Sequence, residues 1–517
     1  MDNNPIRPFI DTVLHLDEQG NVADLVHFIQ TESHPFEALL EAITELLVML
    51  RLRPAFLLAM FLRNNNYHHP ISAIALVVGG WLFNKPEEAR VGLELVRMQA
   101  DALSFEQQTL LYDRILHPIQ VLLLDTAIKQ ANNDHVLRIL DLYAALFPRF
   151  RTLYDWRAPI PTFSLAAVRQ RGRAEARLIS YPLPDSTRPR PRRRVVVAMR
   201  EWFCFGDRSS RVSDFGPRIL AAMQAYGWEV HSCTFKAATL PEIADDCRIV
   251  AERCRQQRAE LLVIDLNLTI KSEARDEMIL QLRQENPAIR VVGCLIDSFC
   301  FPEAVLVKAA THLDLIWTRD VPFLPAWSAP ALASKVFNLL FPNAGLMGRP
   351  EQPLIPHPFF AGGVSAKYIP HRAFWLAGIE RLGLPIQSKI SSHMDDGLSP
   401  LDSFALYMRG LTDATCCLNF SMRSNQDHVV TFRSFEVVLS GALLIQEATP
   451  EMDAYFVAGD HYLPFSTLAE LASVIRFITE QREEAEEIRR CGNAFARERY
   501  SDEKIIGYLD RRLFFPA

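Results

Sequence analysis

The first 200 residues of this 517-residue chain contain no cysteine, and the nine that follow, from Cys204 to Cys491, form no CxxC pair. That scarcity excludes a zinc ribbon and a disulfide framework and points to a reducing, cytoplasmic setting. Neither charge sign dominates. A formal net charge of -6 gives no field that draws nucleic acid to the whole surface, so any anion site has to be local. No apolar run reaches the roughly 20 residues that cross a bilayer; the most apolar stretch, Ala73 to Phe83, stops well short. The opening MDNNPIRPFIDTV also lacks the basic and apolar regions of a secretory signal, so a transmembrane segment is not expected.

What is present is globular composition, with 49% hydrophobic and 22% charged residues. The length predicts about three domains. From Pro8 to about Phe150, apolar residues recur every three or four positions, as in Leu39, Leu40, Ile43, Leu46 and Leu47, so residues 1–155 read as an all-helical domain. Residues 156–193 hold prolines and then PLPDSTRPRPRRR, which reads as a stiff, solvated linker rather than a phosphate-binding patch. From Arg194 the pattern becomes short β-branched runs alternating with amphipathic helices. This βαβ rhythm runs through residues 194–344 and restarts at Phe359 within residues 345–517. The fold class is α/β, two Rossmann-like domains preceded by an all-α domain, with a hinge in the proline- and glycine-rich stretch Asn343 to Pro358. Neither first strand is followed by GxGxxG with an acid about 20 positions on, which disfavours a dinucleotide oxidoreductase.

Open parallel sheets bind ligands beyond the carboxyl ends of their strands, which restricts the search to loops. The informative segment is LNFSMRSNQDHVVTFRSFEVVLSGALLIQE, which leaves a strand at Asn419, starts a helix near Phe432 and ends it at Gly441. A helix N-terminus with Arg433 in its first turn suits a diphosphate. Glu436, one turn inward, suits vicinal ribose hydroxyls, although Arg and Glu three apart also form plain surface pairs. Asn419, Arg423 and Ser434 complete the candidate nucleotide-binding set. Gly362 and Gly363, after the first strand of the last domain, let backbone approach a phosphate and serve equally as a tight turn. Asp395-Asp396 and Asp245-Asp246 read as solvated carboxylates, and His357, His393 and His428 show no metal-ligand spacing, so no metal site is expected. An acceptor that loses a proton needs a base. Glu201, Asp207, Asp214, Asp265, Asp297 and Asp320 lie in loops or strand ends of the first sheet, with Asp214 also placed as a helix N-cap.

The pattern R-x-F-E-x4-G-x-L-L-x-x-E, carried by Arg433, Phe435, Glu436, Gly441, Leu443, Leu444 and Glu447, resembles the donor domain of GT-B glycosyltransferases. The likeness is to the spore-maturation-protein-like, family-1-type group, covers roughly the C-terminal third, and elsewhere is a match of rhythm plus Ile296-Asp297-Ser298. It implies sugar transfer from a nucleotide-sugar, a UDP-sugar as first choice, with Glu436 on the ribose. Arg423 and Arg433 would neutralise the leaving diphosphate in place of a metal, and no separate cofactor is needed. Asp297, Asp214 and Arg433 are the catalytic candidates; Asp297 is first choice as base, or orients the acceptor. His428 stands where many retaining members carry a second glutamate, which leaves the stereochemistry open. The helical region resembles modules ahead of bacterial enzymes that glycosylate adhesins or flagellins, implying a protein acceptor docked there. Polysaccharide or lipid-linked glycan assembly, and a non-catalytic scaffold, are the alternatives.

Overall fold

The computed structural model describes residues 6–99, 116, 119, 121, 123, 124, 127, 133–146, 148–181, 192–201, 213–236, 240–296, 301–319, 330–364, 371–389, 398–421 and 430–515. The N-terminal region is helical throughout its described length, from the helix Arg7–Glu18 to the helix Pro148–Tyr154. Two parallel sheets follow. The first joins β1 (Arg194–Arg200), β2 (Glu229–Phe235), β3 (Leu261–Asp265), β4 (Arg290–Leu295), β5 (Leu315–Thr318) and β6 (Val336–Asn338) in the order β2-β1-β3-β4-β5-β6. The second joins β7 (Phe359–Ala361), β8 (Gln387–Lys389), β9 (Cys416–Asn419), β10 (Leu443–Glu447) and β11 (Leu463–Phe465) in the order β11-β10-β9-β7-β8.

Counted within its own half, each sheet runs second strand, first, third, then outward. Chain direction across the sheet therefore reverses between first and third strands, and a crevice opens there at the carboxyl edge. In the first half the crevice lies between β1 and β3; in the second it lies between β7 and β9. Every residue of β3, β9 and β10 is buried, as in strands covered by helices on both faces. Strand β6 escapes the sequence reading because three residues are too few for a period.

Two further elements depart from expectation. The apolar spacing from Thr467 to Arg490 predicts one continuous helix, but the chain breaks at Gln481 (φ -116°, ψ 57°) into Leu468–Glu480 and Arg482–Tyr500. The break lets Arg489, only 1% exposed, reach the Gly441 carbonyl at 2.6 Å and the Gln352 carbonyl at 2.7 Å. The stretch expected as linker contains the helix Leu165–Glu175, capped by the Ser164 hydroxyl accepting from the Ala167 N–H. That helix docks on the turn after Val457: Arg173 forks onto Asp460 at 2.8 and 2.9 Å, and Arg169 donates to the Gly459 carbonyl at 3.1 Å. Of the arginine run, Arg188 and Arg190 lie outside the described residues, while Arg193 pairs with Asp510 and stacks on Phe514 at 3.7 Å rather than standing in water.

The helical region seats on the second half. Tyr154 hydrogen-bonds His371 Nδ1 at 2.9 Å, the Phe150 and His371 rings stack at 5.3 Å, and Tyr154 meets Trp375 edge-on at 4.9 Å. Its apolar residues form one continuous core with Phe360, Phe374, Trp375 and Leu468. The last helix, Asp502–Phe514, lies against the first half instead: Asp502 accepts from the Asn343 and Gly345 N–H groups at 2.7 and 2.6 Å, and Arg512 donates to the Ser334 carbonyl.

A Cβ at Gly172 would sit 2.3 Å from the Ala458 carbonyl oxygen, backbone that cannot give way. Gly172→Ala is expected to cost about 1 to 3 kcal/mol in urea unfolding. Gly410→Ala, where a Cβ meets nothing within 4 Å on an exposed helical surface, is expected to stabilise by up to about 1 kcal/mol. In the same docking turn, His461 stacks on Phe495 at 4.0 Å, its Nδ1 accepts from the Val457 N–H, and burial lowers its pKa to about 4. Unfolded histidine binds a proton near pH 6.5, so the stability His461 contributes is present above that pH and is lost toward pH 4, roughly 3 kcal/mol in all. Asp453, pushed up to about 6 by burial and by Glu175, has the opposite sign: its contribution is present at low pH and is lost as pH rises through 6. His461→Gln should therefore flatten the acid limb of the stability profile, and Asp453→Asn should steepen it.

Candidate functional site

At the crevice of the second sheet, β9 ends at Asn419 and the helix Phe432–Leu439 begins beyond Thr431. Thr431 occupies the N-cap position without capping: its hydroxyl accepts from Asn419 Nδ2 at 2.9 Å. The first-turn N–H groups are left without a side-chain cap, and the helix end presents its partial positive charge to the crevice. Asn419 also donates to Ser434 at 3.1 Å and Gln446 at 2.8 Å, and Ser434 donates to Gln446 at 3.0 Å. Both candidates are fully buried and tie strand end to helix start through their donors, while the buried Asn419 Oδ1 is left without a hydrogen-bond partner.

Arg433 is built differently. Its Nε donates to the Tyr407 hydroxyl at 3.4 Å, but its Nη1 is buried and has no hydrogen-bond partner. A buried guanidinium nitrogen without an acceptor is costly, and an anion removes that cost. The guanidinium lies against Gly362, where a Cβ would come within 2.8 Å of Nη1 and 3.0 Å of Nη2. Next along the chain, the Gly363 carbonyl accepts from Arg372 Nη1 at 2.9 Å, and both arginines lie 5.8 Å from the Phe360 ring. The second arginine, unforeseen in the sequence, stands in the first turn of the helix His371–Arg381, whose first residue bears the Tyr154 bond. Gly362 thus allows side chain and backbone to crowd together at the end of β7.

One turn into the helix, Glu436 is 6% exposed and accepts one bond on each oxygen: Arg218 Nη1 at 3.2 Å on Oε1, and the Tyr407 hydroxyl at 3.1 Å on Oε2. A carboxylate accepts about four hydrogen bonds, so both oxygens keep a free lone pair. Burial, and then the Glu436 charge, raise the Tyr407 pKa, so its hydroxyl remains a proton donor. Arg218 comes from the first half, on the helix Phe215–Ala225. Its Nε donates to the Pro342 carbonyl and its Nη2 to Asn343 Oδ1, both at 2.7 Å, and it stacks over Phe404 at 4.0 Å. A second bridge forms where Arg319, at the end of β5, donates to the Val430 carbonyl at 2.7 Å and stacks over Phe432 at 4.5 Å.

The proton-accepting candidates fare unequally. Asp214 stands at the start of the helix Phe215–Ala225 without capping it; Oδ2 accepts from Arg218 at 3.2 Å and the buried Oδ1 has no partner. Asp265 is fully buried in a fork with Arg200, at 2.6 and 3.1 Å, and caps the Leu268 N–H, so the pair ties the ends of β1 and β3 together. Asp297, Asp207, Asp320, Arg423, His393, His428 and Asp395-Asp396 lie outside the described residues. His357 is exposed, Asp245 pairs with Arg248 on the surface, and Asp246 accepts from the Lys236 N–H. Among the described residues, no group of three or more His, Cys, Asp or Glu side chains is placed to hold a metal ion.

Residues 397–509, which contain this helix and both its flanking strands, match a family model described as glycosyl transferase-like. No curated protein matches the chain. Similar solved structures include HepE of Anabaena in complex with UDP and glucose, at 12% identity and a TM-score of 0.40, covering 62% of this chain and 98% of that one. Sucrose-phosphate synthase of Thermosynechococcus elongatus gives 11% identity and 0.42, covering 63% and 100%. BGT of phage T4 in complex with UDP and Mn2+ gives 10% and 0.35, covering 62% and 100%. Similarity at this level bears on neither ligand nor reaction; for the matched segment, the family description does.

Gly362→Ala places a methyl group 2.8 Å from the flexible end of Arg433. The fold should survive while the guanidinium is displaced, and affinity for inorganic pyrophosphate, measured by calorimetry, should fall roughly tenfold, about 1.4 kcal/mol.

Proposed function

We propose that this chain, which carries a GT-B pair of Rossmann-like halves and a glycosyl transferase-like segment, moves a sugar from a UDP-sugar to a protein acceptor without a metal ion. The observation that carries the reading is the buried, partnerless Nη1 of Arg433 beside Gly362, at an uncapped helix start, with Glu436 one turn inward. Arg433, the helix N-terminus and Arg423 take the diphosphate, Arg372 holds the Gly363 loop in place, and Glu436 receives the ribose hydroxyls through its free lone pairs. In the transfer, an acceptor oxygen bonds to the anomeric carbon as the bond from that carbon to the phosphate oxygen breaks. The electron pair leaves with UDP, where the arginines stabilise the developing charge. The acceptor proton passes to a carboxylate of the first half. Asp297, which stands where the resembling glycosyltransferases also carry an aspartate, is assigned that role.

The acceptor is assigned as a bacterial protein of adhesin or flagellin type, met by the helical region, which stands on the same half as the donor site. Its support is the presence of a helical region docked on that half.

Thermal shift and calorimetry against UDP, GDP, CMP and dTDP test the reading. UDP at about 100 times its Kd should stabilise the fold by roughly 2.7 kcal/mol, unchanged by EDTA. Glu436→Ala should lose at least tenfold in affinity, about 1.4 kcal/mol, while keeping native circular dichroism. Binding to none of the four would sink the donor site and leave a non-catalytic scaffold; binding abolished by EDTA would sink metal independence.

A further inference from the structure

We infer that Arg218 and Tyr407 are positioning residues that make the site selective for ribose over deoxyribose, by holding the Glu436 carboxylate in one rotation. The inference rests on the reading that Glu436 receives a ribose. A carboxylate on a two-carbon stem turns about its last torsion with a broad, shallow preference, so alone it offers its lone pairs in no fixed direction. Here each oxygen is pinned by a donor from a different element. Arg218 holds Oε1 from the first half and Tyr407 holds Oε2 from the helix Pro400–Ala414, at 3.2 and 3.1 Å. One lone pair then remains on each oxygen, fixed in the carboxylate plane and available to a pair of vicinal hydroxyls.

The two donors are themselves held. Arg218 is 1% exposed and its guanidinium is fixed by Asp214, the Pro342 carbonyl, Asn343 and the Phe404 ring. Tyr407 is held from its other side by Arg433, the arginine assigned to the diphosphate. Phosphate and ribose contacts are therefore linked through one phenol. A 2'-deoxy sugar presents a single hydroxyl and leaves one carboxylate oxygen of a buried, pre-aimed group unmatched, which is the arrangement that discriminates strongly against a missing hydroxyl.

The test compares UDP with 2'-deoxy-UDP by calorimetry on the full-length protein and its Tyr407→Phe and Arg218→Lys variants. Phenylalanine removes one hydroxyl from a half-buried ring and should fold; lysine keeps a cation beside the two carboxylates but gives up bonds to Pro342 and Asn343, so the fold of that variant is checked by circular dichroism and the Tyr407→Phe variant carries the test if it fails. The wild-type protein should favour UDP at least tenfold. Both variants should narrow that ratio to about two- or threefold, chiefly by weakening UDP, with lysine retaining more than Arg218→Met. A purely architectural role would weaken both nucleotides alike and keep the ratio; that result overturns the inference. A wild-type protein that binds both nucleotides equally overturns the ribose role of Glu436 itself, and the inference with it.

Discussion

The Arg218 guanidinium ties the two halves of this protein together at the hinge. Arg218 is almost fully buried and meets a carboxylate of its own helix, Asp214, a carboxylate of the opposite half, Glu436, and the backbone and side chain of the hinge at Pro342 and Asn343. Taking such a group out of water costs several kcal/mol, and only a full set of acceptors offsets it. Hence the surroundings are tightly specified. Asp502 ties the same hinge from the last helix by accepting from the Asn343 and Gly345 N–H groups; burial raises its pKa and those two bonds restrain the rise. A buried pair of acids sharing one arginine is an assembly that tolerates little relative movement of the elements bearing it.

The proposed donor site is therefore not a property of the second half alone. Its carboxylate is oriented from the first half by Arg218, and the loop entering its helix is tied to β5 through Arg319 and the Val430 carbonyl, while Tyr455 donates back to the Arg319 carbonyl. The helical region approaches the site from another side. Tyr154 meets His371 at the first residue of a helix whose second residue, Arg372, holds the Gly363 carbonyl. A short path of hydrogen bonds, joined by the peptide link between His371 and Arg372, thus runs from the surface where the helical region docks to the loop beside Arg433.

The sequence made the two sheets legible because period and element agreed: apolar runs such as LLVID and CCLN, separated by amphipathic helices, leave little choice but buried parallel strands. The start of the helix at Phe432, with Arg433 and Glu436 on it, was readable for the same reason. Contacts between halves were not. Asp214 looked like a helix cap, and only the fold shows that it shares an arginine with Glu436, 222 positions away by number (436 against 214). Asn419 and Ser434 carry the residue types of ligand contacts, and only the fold shows that their donors close on Gln446 while the buried Asn419 Oδ1 has no partner. The docked helix Leu165–Glu175 was hidden by the prolines around it. Its signal, Ser164 three residues before Ala167 with Gly172 on the packed face, means little until the turn at Ala458 is known.

The central claim is that a nucleotide bound at the second half is registered by the first, through the carboxylate that Arg218 holds. Backbone hydrogen exchange with and without saturating UDP tests it most directly. The account predicts that amides of the helix Phe432–Leu439 and of the helix Phe215–Ala225 slow together when UDP binds. Protection confined to the helix Phe432–Leu439, with exchange in the Arg218 helix unchanged, would contradict it.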